Sequence, residues 1–225
     1  MTRLLAVGCL AIILVFCGMV AVHRGLASLY ANPGKSNLEV WREEQRRVLH
    51  PDWKEIRGSL EQALSYDARN PDLLSDLGAA YEGEVAFYPV GDPAADGQRA
   101  NARDNYLKAL AGRPTWPHDW KALTLVKYRL GQTDAEFRQA MRNAVALGPW
   151  EPSVQYVISD IGMHHWEQFD EDTRRLVEDV MRAGMRDNPM DMVMLAHRYG
   201  MLDLVCNFGS TDEQAIKYCE QNLHR

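Results

Sequence analysis

The chain has 225 residues, 46% of them hydrophobic and 25% charged, with 31 acidic against 25 basic side chains and a net charge of −6. That length allows one or two domains with a sizeable core. An acidic balance without a basic run excludes a nucleic-acid-binding surface and argues against peripheral attachment to anionic lipid.

The first element is apolar: "MTRLLAVGCLAIILVFCGMVAVHRG". Leu4 to Val22 is 19 residues without a charge, long enough to span a bilayer, and predicts a single transmembrane helix within an anchor at 1–29. A cleaved signal peptide has a shorter apolar core, about 7–15 residues, and only Gly25 to Ala27 resembles a cleavage site. Arg3 lies on one side of the run and Arg24 and Lys35 on the other, so flanking charge gives little orientation. Pro33 and Gly34 predict a break. Ser36 and Glu39 then form a capping box for a short helix with Leu38, Trp41, Val48 and Leu49 on one face, ended by Pro51. Residues 30–52 therefore read as a juxtamembrane helix and linker.

Asp52 and Glu55 open the next helix, to about Tyr66, and Asn70 and Pro71 start another, "NPDLLSDLGAAYE". Residues 83–98, "GEVAFYPVGDPAADGQ", read as a loop with Phe87 and Tyr88 as contact residues. Two readings of that loop are open: contact with a partner or membrane surface, and packing back on the domain. Helices follow from about Gln98 to Leu110, from Pro117 to Gly131, from a Thr133–Glu136 box to Gly148, and from Pro152 to His165. The last three lie near 172–186, 190–206 and 212–223, the final one boxed by Thr211 and Gln214. No stretch alternates as a strand does, so the expected fold class is all-α.

An all-helical chain invites a search for an internal period. Leu74, Leu77, Gly78 and Tyr81 give L-x-x-L-G-x-x-Y, which resembles the first helix of a tetratricopeptide repeat. Ala102, Tyr106, Ala109 and Pro114 supply the second. Trp120, Leu123 and Gly131 with Phe137, Met141, Ala144 and Pro149 form another copy, departing at Thr124 and Lys127. Gln155 and Ile158 with Val177, Met181, Gly184 and Pro189 form a degenerate third. The expectation is a tetratricopeptide-like α-solenoid over 53–189, capped by helices at 190–225. Loop 83–98 is an insertion within the first copy. By register the inner face of such a stack carries Ser75, Ala79 and Glu82, then His118, Lys121, Leu125 and Tyr128, then Tyr156, Asp160 and Met163. A groove mixing aromatic, cationic and acidic groups suits a peptide or protein segment.

Motifs of catalysis are missing: there is no phosphate loop, no G-x-S-x-G and no H-E-x-x-H. No cofactor or metal is expected, and the chain does not read as an enzyme. His164 and His165 are adjacent, which on a helix points them to different faces. Asp170-Glu171-Asp172 precedes a helix, where acids favour the positive end. Trp116 and Trp150 lie between prolines at two similar junctions, "RPTWPHDW" and "GPWEP"; they either seal repeat packing or stack on sugar rings. Cys9 and Cys17 fall in the apolar run. Cys206 and Cys219 are either a disulfide or two buried thiols.

"RPTWPHDWKALTLVKYRLGQTDAEF" followed by "ALGPWEP", with the hydrophobic start and "NPDLLSDLGAAYE", resembles the VpsP family of bacterial polysaccharide-biosynthesis proteins over most of the chain. The resemblance implies a small membrane-anchored protein of an exopolysaccharide gene cluster and brings no catalytic residues. The expected function is a non-enzymatic inner-membrane accessory or scaffold. Its groove would bind protein components of polysaccharide synthesis or export, with the soluble domain in the periplasm. Two alternatives are a glycan-binding module holding the polysaccharide and a general envelope-assembly scaffold.

Overall fold

The N-terminal helix, α1, runs without interruption from Thr2 to Glu43 and contains Pro33. The computed structural model describes residues 2–43 and 52–223; Val48, Leu49 and Pro51 lie outside them, as does the Trp41 side chain. The most apolar part of α1 has mean hydropathy 2.1 and none of it is buried, and α1 is long and apolar enough to cross a membrane.

The expected break at Pro33 and the new start at Ser36 are therefore corrected. An internal proline removes one ladder hydrogen bond and costs about 3 kcal/mol. The turn that holds Pro33 is buttressed from outside by Ser59, whose hydroxyl accepts from the Gly34 N–H at 3.2 Å and donates to the Tyr30 carbonyl. Those two backbone groups are the ladder pair next to the Leu29–Pro33 pair that proline removes. Gly34 permits this approach, since a Cβ there would lie 2.9 Å from the Ile56 carbonyl oxygen.

The described residues are helical with no strand. After α1 come α2 (Trp53–Tyr66), α3 (Pro71–Glu84), α4 (Asp96–Gly112), α5 (Pro117–Arg129), α6 (Ala135–Leu147), α7 (Pro152–His164), α8 (Glu171–Asp187), α9 (Pro189–Arg198), α10 (Leu202–Cys206) and α11 (Glu213–Asn222). They group into two units, Met1–Phe87 with Ala100–Gly112 and Tyr88–Arg99 with Arg113–Arg225.

In the first unit Ala27, Ala31, Gly34 and Leu38 make a buried stripe on α1 at spacings of four, three and four. Ala27 and Ala31 share a core with Ile56, Leu60 and Ala63 of α2 and Leu73, Leu77 and Ala80 of α3. Gly78 faces the ring of Tyr106, where a Cβ would lie 2.7 Å from the nearest ring carbon. The glycine's helical cost of about 1 kcal/mol is offset by the packing of that aromatic ring.

In the second unit α5 packs on α6 and α7, α7 on α8 and α9, and α8 on α9. Phe137, Met141, Ile158, Val177, Met181, Met192 and Leu195 form its core. Lys127 is 2% exposed, and its ammonium meets Asp134 at 3.0 Å and also Glu136. An ion pair thus occupies the place where the first copy has Tyr81.

Several boundaries move. Asp134 caps α6 by accepting from Phe137 N, and Asp212 caps α11 by accepting from Ala215 N; Thr133 and Thr211 do not. The helix expected over 190–206 is two, parted at Gly200 with φ +68°. The loop expected at 83–98 shortens, because α3 continues to Glu84 and a 3-10 turn at Pro93–Ala95, capped by Asp92, leads into α4.

Candidate functional site

The second unit carries a polar and aromatic face on α5, α7 and α9. Of these, α7 neighbours both α5 and α9, and among the described residues the three are three of the four α-helices that start with proline. Proline at the first position presets φ and gives up an N–H that a helix start leaves unpaired anyway.

At the N-terminal ends of α5 and α7, Lys121 Nζ donates to Ser153 Oγ at 3.2 Å, and that hydroxyl lies 3.4 Å from His118 Nδ1. His118 Nε2 lies 3.6 Å from Glu151. Burial, and next the nearby Lys121 charge, hold the His118 pKa below its ordinary 6.5. Further along, the Tyr128 hydroxyl bonds His164 Nδ1. Burial pushes the phenol pKa up, so it keeps its proton. Tyr199 donates to Asp160 Oδ1 at 2.8 Å, and Arg198 approaches the same carboxylate at 3.6 Å. The Tyr199 pKa is pushed up to about 12, first by burial and then by Asp160.

His118, Lys121, Leu125, Tyr156 and Asp160 are half-buried, as the register requires for this face. Tyr128 and Met163 are not on it: both are buried in the core, and only the Tyr128 hydroxyl reaches the polar row. His164, one residue later, takes the surface position expected of Met163. Ser75, Ala79 and Glu82 belong to the first unit. There Glu82 is buried and accepts from the Tyr106 hydroxyl at 2.8 Å.

Four contributors escaped the sequence reading: His164, His165, Arg198 and Tyr199. The two histidines do not diverge. The helix ends at His164, so both rings meet Tyr128, at 5.9 and 5.1 Å between centroids. Asp160 and His164 are four apart, and that spacing was the available signal. For Tyr199 it was Met192, Leu195, Ala196 and Tyr199, which repeat the M/L-x-x-L-small-x-x-Y spacing of α3.

Among the described residues no three His, Cys, Asp or Glu side chains group as metal ligands do. Asp170 caps α8 through Thr173 N at 2.8 Å, and that bond holds its carboxyl below the ordinary 3.8. Trp116 and Trp150 are exposed, at 45% and 66%. It is Pro117 that closes the junction, against Gly148. Of the two readings of the insertion loop, packing back describes its backbone. Its backbone is bound back, with Tyr88 and Pro89 carbonyls accepting from buried Arg99 and Gly91 N donating to the Arg129 carbonyl. Phe87 and Tyr88 nonetheless stay exposed. Cys206 and Cys219 form a disulfide that ties α10 to α11.

No family model matches the chain, and no curated protein matches it.

Proposed function

We propose that this chain is a membrane-anchored, non-enzymatic scaffold whose helices form a tetratricopeptide-like stack, binding a protein segment along α5, α7 and α9. The observation that carries the reading is a pair of linked polar clusters on these helices, Lys121–Ser153–His118 and His164–Tyr199–Asp160–Arg198. Within each cluster the groups are linked to one another, so they are ordered before any partner arrives, which lowers the cost of docking. Imidazoles, phenols and one guanidinium suit the alternating donors and acceptors of an extended polypeptide. The VpsP resemblance supplies the setting: exopolysaccharide synthesis or export at the bacterial inner membrane. A periplasmic domain agrees with the Cys206–Cys219 bridge, since disulfides persist in oxidising compartments.

The test is affinity purification of the full chain from detergent-solubilised membranes, alongside Tyr156→Ala and Arg198→Ala. Partner proteins of the polysaccharide machinery should co-purify with the wild type and be lost from both variants. Equal recovery from all three would remove the face from the reading.

A second reading, glycan binding, is favoured by the exposure of Trp116 and Trp150 beside the His118–Ser153–Lys121 network. Purified polysaccharide should then quench tryptophan emission, and Trp150→Ala should lower the quenching. A general envelope-assembly scaffold would show co-purifying partners with no polysaccharide component among them.

A further inference from the structure

Because α1 passes from its apolar run into the first unit without a break, the surroundings of the bilayer edge are set by helix geometry. Leu4 to Val22 is 19 residues, about 28 Å of helix against a hydrocarbon core of about 30 Å. Arg24 then stands about 3 Å beyond Val22 along the axis and Ser28 about 9 Å. The headgroup layer is roughly 5–8 Å thick, so the first lies within it and the second at its outer edge.

A cleft of about 170 Å³ opens at this level, between one face of α1 and the start of α3. Arg24, Ser28, Asn32 and Lys35 line it from α1, at spacings of four, four and three that place them on one side of the helix. Asn70 and Leu73 close the other wall. Lys35 is held by Asp76 at 3.6 Å. Arg24 is exposed, and no carboxylate among the described residues pairs with it. Asn70 is occupied as the cap of α3, accepting from Asp72 N and Leu73 N and donating to Asp67.

We propose that this cleft holds the phosphate of a glycerophospholipid headgroup from the leaflet that α1 leaves. The inference rests on the reading that α1 spans the bilayer. The Arg24 guanidinium pairs with the phosphate, which it can meet with two parallel N–H donors. The Ser28 hydroxyl, one turn further on, donates to a remaining phosphate oxygen or to a hydroxylated headgroup. The start of α3 adds the positive end of a helix on the facing wall. The same phosphate chemistry could come from free phosphate in solution, so the test separates the two sources.

The full chain is purified in a nonionic detergent, stripped of lipid, and its melting temperature followed on adding phosphatidylglycerol, diacylglycerol or inorganic phosphate. Phosphatidylglycerol alone should raise it. The rise should persist in Arg24→Lys and be lost in Arg24→Gln and in Asn32→Trp, which fills the cleft from an exposed position. An equal rise in Arg24→Gln and wild type would overturn the proposal, as would an Arg24-dependent rise with inorganic phosphate matching that with lipid. Carbonate washing of native membranes tests the spanning reading separately. Extraction of the wild-type chain would remove the span and the cleft's setting together. Retention with no Arg24-dependent rise would remove the cleft alone.

Discussion

At the scale of single residues, the sharpest constraint is the approach of Tyr106 to Gly78. Gly78→Leu puts a branched side chain where even a Cβ lies 2.7 Å from the ring. Overpacking of this kind costs about 1–3 kcal/mol, to be read from denaturant melts of the full chain in detergent, and an unchanged midpoint would mean the ring swings clear. Lys127 is a different kind of constraint, a buried cation answered by Asp134 and Glu136. Charge is legible in a sequence, but its burial depends on acids seven and nine positions away across a turn, and no local pattern shows that they will meet it. The histidines make a pH prediction. Burial lowers the pKa of both His118 and His165, with Lys121 adding to the first and His164 to the second. A lowered pKa means the folded state binds fewer protons than the unfolded one. Stability then falls as pH drops from the ordinary 6.5 toward the folded values and is fully present above 6.5. Thermal melts between pH 7.5 and 5 should show a downward trend that shrinks in His118→Gln; a flat profile in the wild type would contradict the assignment.

At the scale of elements, the start of most helices was legible because the signals are local. Proline opens α3, α5, α7 and α9, and aspartate or asparagine side chains cap α2, α3, α6, α8 and α11. The two displaced caps follow the same chemistry. Thr133 and Thr211 each precede an aspartate, which accepts from a backbone N–H as a better cap than threonine. Asp134→Ala should therefore cost about 1 kcal/mol in an unfolding experiment and Thr133→Ala much less; equal costs would return the cap to the threonine. The continuity of α1 was not legible, because the group that buttresses its proline turn is 25 positions away in α2. Ser59→Ala leaves Gly34 N–H and the Tyr30 carbonyl without that hydroxyl in a close helix contact. The expected loss is about 1–3 kcal/mol, with helix content falling in circular dichroism only if α1 parts at Pro33. The polar face was half legible. Register placed His118, Lys121, Tyr156 and Asp160 on it, but one residue of slippage exchanged Met163 for His164. The contribution of α9 was hidden by treating that helix as a cap.

At the scale of the whole molecule, the two free cysteines lie in the apolar part of α1 and the other two are bonded to each other. Reducing the Cys206–Cys219 bridge should lower stability by about 2–4 kcal/mol, and Cys206→Ser with Cys219→Ser should reproduce the reduced midpoint. Thiol labelling after denaturation, with and without reductant, checks the bridge in protein taken from its native membrane. Two labels appearing only with reductant is the expected result. The unbroken α1 has a mechanical consequence. A domain on a flexible tether samples a hemisphere of positions above its membrane, and any second molecule in that membrane must wait for a suitable orientation. Here the helix that leaves the apolar run is itself a wall of the first unit's core, with Ala27 already buried five residues after Val22. The first unit therefore has no slack: it tilts only as the helix tilts and turns only as the helix turns about its axis. With α1 spanning a bilayer as proposed, the search of a neighbour confined to that bilayer loses most of its rotational dimensions, and an encounter becomes a sliding approach of two upright bodies.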